Sequence, residues 1–172
     1  CKHNKNGVFD GPLILEPSIF KDSRGLFFES WNMSSFNENI PYKTKFVQDN
    51  QSISRKGVLR GMHYQLPPMD QGKLVRCSSG SVFDVIVDIR KESETFLQWG
   101  YIELSEYNNK QIWIRSGFAH GFYTLSDSAH VIYKVDKGYN KESEKTISYC
   151  LKKSNSLLNN EMFGCLLYTS PS

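Results

Sequence analysis

The sequence predicts an all-β sandwich or barrel, and three observations carry that expectation. Short β-patterned segments recur along most of the chain. Turn signals separate them: Pro67-Pro68, Ser78-Ser79-Gly80, Asn108-Asn109, Ser116-Gly117 and Ser126-Asp127. Eleven Phe, nine Tyr and three Trp enrich the chain in aromatics, which favour strands and ligand pockets.

Taken in order, Leu13-Ile14-Leu15 opens the series of strands, and Leu26 to Trp31 follows a Ser-Arg-Gly turn. Phe46 to Ser54, Val58 to Tyr64 and Lys73 to Cys77 come next. Ser81 to Ile89 alternates most clearly, with Phe83, Val85, Val87 and Ile89 on one face and Val82, Asp84, Ile86 and Asp88 on the other. Tyr101 to Leu104, Gln111 to Ile114, Gly121 to Leu125 and His130 to Tyr133 complete the set. Met33 to Asn39 reads as a short helix, and Lys141 to Lys145 as a second. No internal repeat or linker divides the 172 residues, a length that suits one domain with a substantial core. From about Tyr149 the alternation fades, and the end, Cys165 to Ser172, continues no earlier pattern and reads as non-native sequence.

Charge and composition narrow the function. The net charge of +3 comes from 21 basic and 18 acidic residues, too mild and dispersed for a nucleic-acid surface. No apolar run approaches the ~20 residues that span a bilayer, and no signal peptide is visible. The four cysteines (Cys1, Cys77, Cys150, Cys165) form neither a CxxC pair nor a zinc spacing, and Cys77 reads as a buried strand thiol. Together these features place the protein in the cytoplasm.

The chemistry concentrates in a few stretches. Val58-Leu59-Arg60-Gly61-Met62-His63-Tyr64-Gln65 is followed by Gln71-Gly72-Lys73-Leu74-Val75-Arg76. His63 has the side-chain type suited to a base near neutral pH, against the competing reading of a packed strand histidine. Arg60 and Lys73 favour the base, because clustered cations in a β core are costly unless an anion meets them. His120 sits between Ala119 and Gly121, small neighbours that let a ligand approach, although a turn histidine is the plainer alternative. Tyr133 shares a face with Val131 and taken alone reads as core. Asp84 interrupts an apolar strand and needs a partner, either a structural ion pair or a histidine or lysine that it orients. Gln48 and Asn50 share strand parity, and Arg24 lies in an Asp-Ser-Arg-Gly turn where a solvated side chain is the default. Metal binding is disfavoured: His63-Tyr64-Gln65 lacks the His-x-His cue of metal-holding barrels, and Lys73 would set a cation beside any ion. Cations to hold an anion, a histidine to take a proton and a tyrosine to give one point to carbanion chemistry on a negatively charged substrate.

From about Gly11 to Ile147 the chain resembles the dTDP-4-dehydrorhamnose 3,5-epimerases. The resemblance runs through Phe20 to Ser30, Gln48-Asp49-Asn50-Gln51-Ser52, Gly57 to Gln65, Gln71 to Arg76, Gly80 to Val85, Gly117 to Phe122, Tyr133-Lys134 and Tyr139. It implies a cupin-type double-stranded β-helix (a jelly-roll barrel) with a few short helices over residues 1–148, and an atypical tail over 149–172. A homodimer acting on a dTDP-sugar without cofactor or metal is also implied. In that scheme His63 is the proton acceptor, Tyr133 the donor on the opposite face of the sugar, and Lys73 and His120 lie near the ketone. Arg24, Glu29, Gln48, Asp49, Asn50 and Arg60 hold the nucleotide diphosphate and base, Tyr139 stacks on thymine and Glu144 adds a further substrate contact. No GxGxxG loop is present for a redox cofactor.

One departure bears on activity. In the family a C-terminal segment brings an aspartate that orients the histidine base, with a lysine beside it. Here Leu166-Leu167-Tyr168-Thr169-Ser170 stands in that place and no aspartate follows Asp136, so reduced turnover is expected. A 3-epimerase on a related ketosugar, a nucleotide-sugar-binding cupin without turnover and, more distantly, a metal-dependent oxygenase cupin are the rival readings.

Overall fold

Alternating inward and outward side chains build two five-stranded antiparallel sheets packed face to face. The computed structural model describes residues 11–40 and 43–147. The first sheet has the order β1 (Leu13–Leu15), β9 (Gln111–Ile114), β6 (Lys73–Ser79), β11 (Ser128–Val135), β4 (Gln48–Arg55). The second runs β12 (Glu144–Ile147), β5 (Leu59–Gln65), β10 (Phe118–Thr124), β7 (Ser81–Asp88), β8 (Trp99–Ser105). A separate hairpin joins β2 (Phe20–Asp22) to β3 (Gly25–Phe27). This is the expected jelly-roll arrangement, in which sequence neighbours commonly cross between sheets.

The core lies between the sheets. Val75, Cys77, Ile112, Ile114, Ala129 and Val131 of the first face Val82, Ile86, Leu104, Phe118 and Phe122 of the second. Burial pushes the Cys77 thiol up to about 11, so it stays protonated and inert. One helix, α1 (Met33–Asn39), packs outside the first sheet, where Phe36 and Ile40 meet Leu74 and Trp113. The Asn32 side chain caps it by accepting from the Ser34 and Ser35 amides.

Two segments differ from expectation. Residues 141–145 do not form a helix: the Ser143 amide donates to the Asn140 side chain, and the chain then enters strand β12 beside β5. Pairing across the sheet outweighed the weak local helical pattern. The strand expected over Leu26 to Trp31 ends at Phe27, because its only partner among the described residues is the short β2. The 149–172 tail lies outside the described residues.

Candidate active site

Polar side chains replace apolar ones on the inner face toward one end of the barrel. Along β6 the inward series runs Lys73, Val75, Cys77, and along β11 it runs Tyr133, Val131, Ala129. Tyr133 lies opposite Asn50 on one side and Val75 on the other. On the second sheet His63 of β5 lies opposite His120 of β10, and their ring centroids are 6.0 Å apart. Two cavities of about 310 Å³ and 380 Å³ occupy this end, and both are bordered by His63, Tyr133 and Glu144. Gln48, Asn50, Lys73 and Tyr139 line the first, Arg60 and His120 the second.

The surroundings set the charge states. Burial, then the nearby Lys73 and His120, push His63 down to about 3, so its ring is neutral near pH 7. Its Nδ1 lies 3.0 Å from the Gly61 carbonyl oxygen. A carbonyl only accepts, so Nδ1 carries the hydrogen and Nε2 keeps a lone pair. Lys73 is 5% exposed, and burial lowers it to about 8 while Glu144 and Asp84 pull the other way. It remains an ammonium at neutral pH. Burial raises the Tyr133 phenol, with Arg60 opposing, and so holds its proton in place. His120 Nε2 donates to Asp84 Oδ2 at 2.8 Å, while His120 Nδ1 and Asp84 Oδ1 have no partner among the described residues.

Most residues singled out from the sequence meet here. Gln48 donates to Asn50 at 2.8 Å, and the Gln48 carbonyl accepts from the Tyr139 amide at 3.1 Å. The Tyr139 hydroxyl donates to Glu144 at 2.9 Å. Asp84 meets the partner expected of it in His120, a contact common to the ion-pair and orienting readings weighed from sequence. Four line neither cavity: Asp84, which is fully buried against His120, and three others. Asp49 alternates to the outer face of β4, where it pairs with Lys134 at 2.6 Å. Arg24 is exposed at the tip of the β2–β3 hairpin and pairs with Asp22, and Glu29 accepts from Asn32 at 3.2 Å. Ser52, Gln65, Gln71 and Thr146 also line the cavities and were missed. Parity could have found two of them, since Ser52 follows Gln48 and Asn50 on one face and Gln65 follows His63. Among the described residues no group of three His, Cys, Asp or Glu is placed to hold a metal.

A jelly-roll barrel with a neutral imidazole on one wall and a protonated phenol on the other defines a cupin-type enzyme class suited to proton transfer. Comparison with known proteins narrows the class. The dTDP-4-dehydrorhamnose 3,5-epimerase family profile matches residues 7–155, and the chain belongs to this family. It is 57% identical over 135 residues to the dTDP-4-dehydrorhamnose 3,5-epimerase of Salmonella typhimurium, covering 78% of this chain and 74% of that protein. Against the Shigella flexneri enzyme of the same name the identity is 54% over 143 residues, covering 83% and 79%. The crystal structure of a Legionella pneumophila dTDP-6-deoxy-D-glucose-3,5-epimerase in complex with dTDP-4-keto-L-rhamnose superposes with a TM-score of 0.79. That pair is 50% identical over 82% of this chain and 74% of the other.

Proposed function

We propose that this protein inverts C3 and C5 of dTDP-4-dehydro-6-deoxy-D-glucose to give dTDP-4-dehydro-L-rhamnose, a step of dTDP-rhamnose biosynthesis. The observation that carries the reading is that His63 and Tyr133 stand on opposite sheets and border the same two cavities. The C4 ketone acidifies the hydrogens at C3 and C5. His63 Nε2 takes one of them, and the electron pair moves onto the C4 oxygen as an enolate. The Lys73 ammonium and the His120–Asp84 pair stabilise that charge, and one such donor is typically worth ~3–4 kcal/mol. Tyr133 returns a proton to the other face of the carbon, which inverts it. His63 then releases its proton to solvent, the Tyr133 phenolate regains one, and repetition at the second carbon completes the conversion.

Arg60, Gln48 and Asn50 hold the nucleotide diphosphate and base, Tyr139 stacks on thymine, and Glu144 adds a further substrate contact. The hairpin that carries Arg24 exposes Phe20, Leu26 and Phe27, an apolar surface that a homodimer would cover. No helix among the described residues is long and apolar enough to cross a membrane, and nucleotide-sugar chemistry of this kind belongs in the cytoplasm.

Turnover in D2O tests the reading. Mass spectrometry of the product is expected to show one deuterium at C3 and one at C5. Label at C3 alone would make the protein a 3-epimerase, and no label with bound nucleotide sugar would make it a binding cupin.

A further inference from the structure

Strands β5 and β10 do not pair evenly beside the two histidines. His120 lies opposite His63 and Phe122 opposite Arg60, so Gly121 alone faces both Gly61 and Met62. That is a β-bulge, which turns carbonyls out of the ladder and re-aims side chains. Backbone crowding at the bulge is severe. A Cβ on Gly121 would lie 2.6 Å from the Arg60 carbonyl oxygen and 2.9 Å from the Gly61 carbonyl carbon, so only glycine fits without moving the bulged strand. The carbonyl of Gly61, one of the two bulged residues, lies 3.0 Å from His63 Nδ1.

We propose that the Gly61–Met62 bulge, seated against Gly121, is a positioning device that fixes His63 in the Nδ1–H tautomer and turns Nε2 into the cavity as the base. The proposal rests on the function given above and adds what makes that base competent. Burial keeps the ring neutral, and a neutral imidazole divides between two tautomers of which one alone leaves Nε2 free. A carbonyl in hydrogen-bond reach of Nδ1 rejects the other tautomer, because two acceptor atoms would then face each other. This main-chain contact does for His63 what the family's C-terminal aspartate does, and it is built from residues close to the base. The reduced turnover expected from the altered tail is therefore smaller than the loss of the only orienting partner would cause.

Nitrogen-15 NMR of histidine-labelled protein at pH 7 tests the device, with the His63 signals assigned by their loss in His63→Asn. The expected spectrum has a protonated, pyrrole-type Nδ1 and an unprotonated, pyridine-type Nε2. A protonated Nε2, or averaging of the two nitrogens, would overturn the proposal. Gly121→Ala is expected to disturb the tautomer and lower turnover by roughly 10–100-fold, as for other groups that orient a functional imidazole, with little change in KM. A folded Gly121→Ala protein with the tautomer and turnover intact would also overturn it. Should that variant fail to fold, the unsubstituted spectrum still decides. An Nδ1–H tautomer in a protein that incorporates no deuterium would sink the proposed function and leave the tautomer assignment standing.

Discussion

Strand β7 carries two buried carboxylates, and the barrel treats them in opposite ways. Asp88, 2% exposed, is saturated: it accepts from the Arg90 amide at 3.0 Å, from the Arg90 guanidinium at 2.9 and 2.7 Å, and from the hydroxyls of Ser93 and Thr95 at 2.7 and 2.5 Å. The Arg90 guanidinium also lies 4.6 Å from the centre of the Phe118 ring. Asp84, fully buried, has a single partner, His120, and one oxygen without any among the described residues. Buried polar groups are normally satisfied, so the saturated carboxylate has the marks of scaffold and the incomplete one those of a working site. The contrast extends to the regions around them. The rim loop after β7 is a closed network, while the polar end of the barrel holds shifted, incompletely paired groups facing a cavity.

The contrast breaks most visibly at His63. His63→Asn is expected to slow solvent exchange into substrate by roughly 10²–10⁴-fold, the usual worth of a general base. Its melting temperature should stay near that of the parent, since the ring's one hydrogen bond is to a nearby carbonyl. A large loss of stability with exchange intact would make His63 scaffold instead. Asp88→Asn should do the reverse. Removing one charge of a buried pair typically costs about 3–5 kcal/mol, visible in urea unfolding, with turnover per folded molecule unchanged. Its pH signature follows from the sign of the shift. Despite burial, the bonds from Arg90, Thr95 and Ser93 hold the Asp88 carboxyl well below the ordinary range. Its contribution is thus complete above the unfolded value of ~3.9 and is lost as pH falls through the lower folded value.

Asp84→Asn falls between the two. Its amide keeps the shape but loses the charge that holds His120 and supports the Lys73 ammonium. A fall in kcat of roughly 10–100-fold is expected, the common result of disturbing an orienting carboxylate. The basic limb of the kcat/KM profile should move as well. Lys73 is an ammonium below about 8 and neutral above it, so activity that needs its charge is full below that pH and declines beyond it. Removing Asp84, which raises Lys73, should shift the decline to lower pH. An unshifted limb would show that the two groups do not communicate.

The same contrast explains what was legible in the sequence. β1, β9 and the helix were read with their observed bounds, and β6 and β7 nearly so, because local patterning marks them. His63, Lys73, His120 and Tyr133 were singled out because ordered motifs and clustered cations stand out in β-patterned sequence. What stayed hidden depends on pairing. β12 has no pattern of its own and forms because β5 offers an open edge. The bulge at Gly61 and Met62 exists only as a mismatch of register between two strands. The satisfaction of Asp88 depends on a loop folding back over its strand end. Asp49 was singled out because it sits inside a recognised motif, although the parity that joins Gln48 to Asn50 turns it away from the cavities.

Asp49 supplies the smallest and sharpest check. Its ion pair with Lys134 is exposed, with side-chain exposures of 54% and 27%, and Lys134 also lies 5.5 Å from the Trp31 ring. Exposed pairs contribute only ~0.2–1 kcal/mol and are screened by salt. Asp49→Ala should therefore lower stability within that range, lose most of the difference at high salt, and leave KM for the nucleotide sugar unchanged. Asn50→Ala, one position along on the inner face, should raise KM while leaving stability nearly the same. A rise in KM for Asp49→Ala equal to that for Asn50→Ala would mean that the outer face of β4 also meets substrate. The boundary of the working region would then have to include the outer face of β4.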